Sequence, residues 1–325
     1  MKKHFIVLTF VVILSSEMNT LAEPLSIYEI QYTTDANGTS EQHGIIVDCL
    51  GGIVTHKREG GRPRLVLQDP NYPDGWSAIQ VKGWARDAFD DVNIGDWVSV
   101  INVLVEDNKG TTFLQYIEEN NPGLTITSIN NPLPEPLVVT IDGIAAPIEG
   151  LNIWTVTEHS AEKYESMLIK VVDVTVIGTG YGKAYDNYIL QSNADPNLTC
   201  WVSDYMNNNK DSDLIYHPLV EIDQKFCGVT GILEQYTAES DGIYYDYYQF
   251  LTTNSEDFMT EQIADFDGDC DADFSDFSIL AGHWLEEQCG EPVWCSGADF
   301  AQQLSDGIVD VYDLREFALH WLEGK

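Results

Sequence analysis

Six carboxylates fall within residues 265–276, which read Asp-Phe-Asp-Gly-Asp-Cys-Asp-Ala-Asp-Phe-Ser-Asp. In a strand, Asp265, Asp267, Asp269, Asp271 and Asp273 would line one face as a destabilising ladder of like charges. In a helix the same residues combine repulsion with poor propensity. A loop wrapped around a hard cation removes both conflicts, because calcium takes about six to eight oxygen ligands. On a twelve-position calcium loop of the EF-hand type, Asp265, Asp267 and Asp269 are positions 1, 3 and 5. Asp271 then offers its carbonyl at position 7, Asp273 sits at 9 and Asp276 closes the loop at 12.

An apolar stripe follows at Phe277, Leu280, Ala281, Trp284 and Leu285, the spacing of one helix face. The chain then repeats itself: residues 276–286 align without gaps on residues 313–323, and both end in His-Trp-Leu-Glu. The second stripe is Leu314, Phe317, Ala318, Trp321 and Leu322. In the second loop Asp306, Gly307, Asp310 and Asp313 fit positions 5, 6, 9 and 12, with the carbonyl of Ile308 at 7. Asp299 fits position 1 if residues 301–305 absorb three extra residues. One well-formed and one altered ion site are therefore expected. Helices this short do not persist alone in water, so the two units must pack their Trp-bearing faces together. His283 and His320 follow the repeat and read as half-exposed helix flanks rather than a metal pair.

The pattern D-x-D-G-D-x-x-x-D-x-x-D, its duplication and the flanking stripes resemble a type I dockerin over residues 263–325. That resemblance implies bound calcium and docking to a cohesin-like protein partner. Cys270 stands at position 6, where such loops carry glycine, so the tight turn must form with a side chain present. Positions 10 and 11, which often set partner choice in dockerins, are Phe274-Ser275 and Val311-Tyr312.

The chain that must position this tail starts with a basic stretch and an apolar run, residues 5–14, too short to span a bilayer as a permanent helix. Residues 1–22 are expected to be a signal peptide, giving a secreted protein, extracellular or at the cell surface, without stable membrane insertion. From residue 25 onward, short runs rich in β-branched and aromatic residues alternate with Gly, Asn, Asp and Pro. Three alternate prolines in residues 130–136 read as an extended spacer, dividing a first β-barrel domain, residues 23–129, from a second, residues 137–259. Residues 160–167 alone look helical. The two halves echo one another, with Leu67-Gln68-Asp69 before Trp76 and Leu190-Gln191-Ser192 before Trp201. Their phrasing ("GIIVDCLGGIV…RLVLQDPN…WSAIQV…IGDWVSV" and "YESMLIKVVDVTVIG…YILQS…FCGVTGIL") resembles the OB barrels of secreted bacterial nucleases. The expected fold is mainly β: two OB-type small β-barrels, then a small α-helical, duplicated EF-hand-like module.

The formal net charge of −37 weighs against nucleic acid as a ligand and favours divalent cations or a saline habitat. Against that background, residues 56–64 concentrate Lys57, Arg58, Arg62 and Arg64, where the first two strands of the first barrel would join. With Trp76 or Trp84 as a stacking platform, this patch could hold phosphate or an acidic polysaccharide. A solvated hairpin tip is the simpler reading. Tyr236 and residues 244–248 could form a sugar-stacking face. Six cysteines allow 15 pairings. Cys200–Cys227 and one pair among Cys270, Cys289 and Cys295 are the economical choices, leaving Cys49 free.

No nucleophile elbow, zinc-protease or phosphate-loop motif is present. Glu158, Glu162 and Glu165 are the nearest candidates for paired-carboxylate hydrolysis. The sequence thus points to a non-catalytic accessory protein in an extracellular, polysaccharide-degrading assembly, its barrels binding an oligosaccharide or nucleic acid. The alternative is a secreted polysaccharide hydrolase or nuclease relative acting through the barrels.

Overall fold

The structure is a computed structural model. It describes residues 23–59, 62–85, 87–156, 159–179, 187–203, 206, 220–253, 255–260, 264–289, 295–300 and 307–321. The expected signal peptide, Glu158 and Asp306 lie outside the described residues.

The protein is mainly β. In the first half, β1 (Ile46–Arg58), β2 (Arg64–Gln68), β3 (Ala78–Lys82), β4 (Trp97–Asn108) and β5 (Thr111–Gln115) pair in the order β1-β2-β3-β5-β4. β4 pairs back on β1 and closes a five-stranded barrel, in which β3–β5 is the parallel pair. β6 (Gly123–Ser128) continues the sheet beyond β4. Strict alternation turns Leu65, Leu67, Ile79, Val81, Val98 and Val100 inward to one core. A helix that the β-type pattern did not announce, α1 (Ile27–Gln31), adds Ile27 and Ile30 to that core. Ser26 starts it through a capping box with Glu29. β1 changes register between Cys49 and Gly52. Gly51, at φ +79°, makes that bend possible, since a Cβ there would lie 1.6 Å from the carbonyl oxygen of Val98.

The second half repeats the topology. After β7 (Leu137–Val138), β8 (Ile148–Glu149) and β9 (Ile153–Thr155) come β10 (Leu168–Thr179), β11 (Tyr188–Ser192), β12 (Thr199–Ser203), β13 (Lys225–Ser240) and β14 (Ile243–Leu251). Their order is β10-β11-β12-β14-β13, closed by β13–β10, and β12–β14 is again the parallel pair. β9 extends the sheet from β14, and β15 (Phe258–Met259) pairs with β13. Leu67 and Leu190 both point into the core from the second strand of their barrels. The tryptophans are placed differently: Trp201 is within β12, whereas Trp76 precedes β3. Residues 160–167 keep only one 3-10 turn, Glu162–Tyr164, because Glu165 turns extended and Ser166 takes φ +62°. Residues 130–136 carry no regular structure, and both Asn131 N–H and its side-chain amide donate to the Gly95 carbonyl.

The tail holds α2 (Phe274–Gly282) and α3 (Val311–Leu319). Leu280, Phe317, Val309, Ala264, Ala272 and Ala298 form its small core, with Phe266, Phe300 and Trp321 against it. The expected symmetric packing of both tryptophans is corrected: Trp321 packs on Phe274 and Phe317, while Trp284 is 41 % exposed. Both helices end before their His-Trp pair, and after α2 residues 283–285 form the turn that leaves the helix. The disulfides are Cys227–Cys270 and Cys289–Cys295. The expected Cys200–Cys227 bond is absent because Cys200 points into the second barrel's core, and Cys49 is likewise a buried thiol. Among the described residues no helix is long and apolar enough to cross a membrane.

Candidate functional site

The first acidic loop folds around its own carboxylates. Asp265 Oδ1 accepts the N–H groups of Gly268 and Asp269, and its Oδ2 accepts that of Cys270 at 2.9 Å. Asp276, fully buried, reaches back across the loop: Oδ1 accepts from Phe266 and Asp267, and Oδ2 from Asp273 at 2.7 Å. Asp273 caps α2 by accepting from Ser275. Oδ1 of Asp265 and of Asp276 each take two N–H donors, whereas Oδ2 of each takes one and keeps a further lone pair to offer. Ligand oxygens of Asp265, Asp267 and Asp276 lie within 4.8 Å of one another, as do those of Asp271, Asp273 and Asp276.

The second loop is built on the same frame. Asp313 Oδ1 accepts from Phe300 at 3.0 Å and its Oδ2 from Asp310 at 2.9 Å, as Asp276 does from Phe266 and Asp273. Asp299 Oδ2 accepts from Gly307, as Asp265 does from Cys270. Asp299 thus stands where the first loop has Asp265, and the extra residues lie between it and Gly307. The backbone is left-handed at both equivalent turns, φ +78° at Cys270 and +87° at Gly307. The cysteine therefore adopts a conformation that normally favours glycine. Asp310 caps α3 through Tyr312 N–H, and Ile308 bridges antiparallel to Glu287.

Burial of carboxylates, with crowding of like charge second, is the electrostatic signature of the first loop. Burial, then Asp269 and Asp276, push the Asp267 carboxyl up to about 6. Burial also raises Asp265, against hydrogen bonds from Cys270 and Gly268. An all-oxygen set with clustered, partly desolvated carboxylates fits a hard divalent cation and no soft one. Asp265, Asp267, Asp269, Asp273 and Asp276 would hold it by side chains and Asp271 by its carbonyl.

The loop is not a free appendage. Cys270 is bonded to Cys227 on β13, and Cys227 Sγ lies 3.4 Å from Asp265 Oδ2. From β10, Lys170, only 5 % exposed, donates to the Asp269 carbonyl at 2.9 Å and sits 3.8 Å from Asp271 Oδ2. Sequence reasoning missed both anchors. A lone lysine inside the apolar run Ile169-Lys170-Val171-Val172 was the available signal, since a buried cation needs a partner.

The basic residues of the first barrel separate. Lys57 and Arg58 line an open cleft of about 540 Å³ with Glu59, Pro63, Phe89 and the acids Asp87 and Asp90. Lys57 is already engaged, donating to the Val92 carbonyl and paired with Glu59. Arg62 is exposed and its carbonyl accepts from Arg58. Trp84 packs behind the cleft on Phe89 and Tyr116.

Arg64 and Trp76 do not join this group, which corrects the expectation of one basic, aromatic surface. The outer face of β2, β3 and β5 is covered by the second barrel. Arg64 pairs with Glu234 of β13 at 3.1 Å, Gln68 accepts from Leu168 N–H, and Val66 is buried with Leu168, Ile232 and Leu251. The Trp76 backbone N–H donates to the Lys163 carbonyl, and its ring meets Tyr32 edge-on.

The same seam buries Glu162 and Glu165. Tyr248 donates to Glu162 at 3.0 Å, while Glu165 accepts from Thr112 N–H and Gln31. Burial pushes Glu162 up to about 8 and holds Glu165 well above the usual carboxylate range. His159 pairs with Asp246 at 3.3 Å beside them. With exposures of 5 % and 2 %, the two glutamates cannot meet a polymeric substrate.

No family model matches the chain, and no match is found among curated proteins. Among solved structures, the Ifi202 HINa domain in complex with 20bp dsDNA is similar over 63 % of this chain and 95 % of that chain, with 9 % identity and TM-score 0.29. The complex of fission yeast Pot1 and ssDNA is similar over 70 % and 89 %, with 10 % identity and TM-score 0.26. At these scores the likeness decides nothing about ligand. The barrel assignment rests on the strand order itself.

Proposed function

We propose that this is an exported, non-catalytic accessory protein. Its C-terminal loops bind calcium, its two helices dock onto a cohesin-type protein, and its barrels bind an oligosaccharide or nucleic acid. The reading rests chiefly on one observation: both loops use the same hydrogen-bond frame, Asp276 and Asp313 closing onto the residues after Asp265 and Asp299. In the first loop that frame brings carboxylate oxygens of Asp265, Asp267 and Asp276 within 4.8 Å of one another, and clustered carboxylates favour occupancy by a cation. Phe274, at 75 % exposure, and Val311, at 59 %, hold equivalent places in the first turns of α2 and α3. Two matched apolar first turns supply the kind of surface a docking partner covers. Burial of Glu162 and Glu165 weighs against the hydrolase alternative.

The test is capture from secreted and surface fractions using the intact protein as bait, with calcium or with chelator. A partner retained only with calcium, and lost with Phe274→Ser plus Val311→Ser, supports docking. Retention that ignores both calcium and the double substitution contradicts it.

A further inference from the structure

Alternation along the second barrel sends Tyr248, Phe250, Leu233 and Val202 into the core. It sends Tyr245 and Tyr247 of β14, Tyr236 of β13 and Trp201 of β12 to the outside. Trp154, on β9, pairs in register with Tyr245. These five rings form one continuous group. Ring centroids are 5.5 Å apart for Tyr236–Tyr247, 4.6 Å for Tyr247–Trp201, 6.0 Å for Trp201–Trp154 and 5.5 Å for Trp154–Tyr245. Trp201 and Tyr247 are buried at its centre, while Tyr236, Tyr245 and Trp154 are half-exposed around it. The group is separate from the acidic loops and from the cleft at Lys57.

Its neighbours restrict the ligand. At the inner end Gln249 donates to Glu234 at 2.8 Å; both are buried toward the first barrel, where Glu234 pairs with Arg64, and they close the face beside Tyr247. Glu239 is exposed farther along β13, and Lys109 of the first barrel lies 4.8 Å over the Tyr236 ring. Acidic flanks within a chain of net charge −37 oppose a polyanion. Phenol hydroxyls suit the hydroxyls of a sugar, and half-exposed rings suit its C–H faces.

We propose that this aromatic face of the second barrel binds an uncharged oligosaccharide, and that it is the barrels' ligand site. The proposal rests on the reading that the barrels bind a polymer, and it chooses between the two polymers named there. Three neighbouring strands span roughly 10 Å, room for about two sugar rings.

The experiment titrates the intact protein with cellohexaose, xylohexaose and a twelve-nucleotide oligothymidylate, following tryptophan fluorescence and heat. At least one neutral hexasaccharide should bind. Tyr245→Ala and Trp154→Ala should each weaken it about tenfold or more (~1.4 kcal/mol), and Lys57→Ala should not. Tyr245→Phe, which keeps the ring and the fold, should retain most of the affinity. Sugar binding untouched by all aromatic variants overturns the site but leaves the barrels' function standing. Binding of the oligonucleotide alone overturns the ligand class. No binding of any probe overturns both.

Discussion

Cys270 is bonded to Cys227, so the turn of the first acidic loop is fastened to strand β13 of the second barrel. The bonded cysteine occupies the left-handed position that its counterpart Gly307 takes in the second loop. A substitution that costs backbone freedom thus coincides with a covalent tie, and the first loop is held open in shape before any ion arrives. Removing both sulfurs, as Cys227→Ser with Cys270→Ser, should lower unfolding free energy by about 2–5 kcal/mol. It should also weaken the tighter calcium site, whereas the second loop's site should be unchanged. Thermal melts and calcium titration of the pair variant check both outcomes.

Lys170 supplies the second tie, to the Asp269 carbonyl and the Asp271 carboxylate. Lys170→Met keeps the length of the stem and removes the charge. It should leave Asp271 buried without its cation and destabilise the calcium-free protein by about 3 kcal/mol. Calcium should recover part of that loss, so the gap between variant and parent melting temperatures should narrow on adding the ion.

Arg64 and Glu234 are nearly buried between the barrels, with side-chain exposures of 15 % and 8 %. Arg64→Ala should cost about 3 kcal/mol, since breaking such a pair strands its partner. It should not change ligand affinity. A ligand effect equal to that of Tyr245→Ala would mean the seam, not the aromatic face, meets the ligand.

Glu162 and Glu165 predict a pH dependence. Burial raises Glu162 from 4.5 to about 8, so between those values the folded protein holds a proton that the unfolded chain releases. Stability contributed by that proton is present below the unfolded value and is lost as pH rises through the folded value, at up to about 1.4 kcal/mol per unit. Melting temperature should therefore fall from pH 5 to pH 8 under chelator. Glu162→Gln, which keeps an acceptor for Tyr248, should flatten part of that fall. An unchanged slope would show that Glu162 is ionised in the folded protein.

The acidic loops and the barrels differ in how far the sequence discloses them. Loop spacing survives in the chain because each carboxylate must meet a backbone N–H a fixed number of residues away, as Asp276 meets Phe266. Barrel strands show through the inward alternation of residues such as Leu65, Leu67, Ile79 and Val81. What one barrel does to the other is invisible at that range. Arg64 reads as part of a basic run beside Arg62, yet the strand turns it toward Glu234, 170 residues away. Cys227 and Cys270 give no local sign of pairing. Trp284 and Trp321 share a motif but not an environment, because Phe274 closes over only one of them.

Calcium titration of the intact, oxidised protein by calorimetry tests the central claim most directly. The account predicts one tight site and one weaker site, with Asp276→Asn abolishing the tight one and Asp313→Asn acting on the weaker. No calcium heat at all, or tight binding that survives Asp276→Asn, would contradict it.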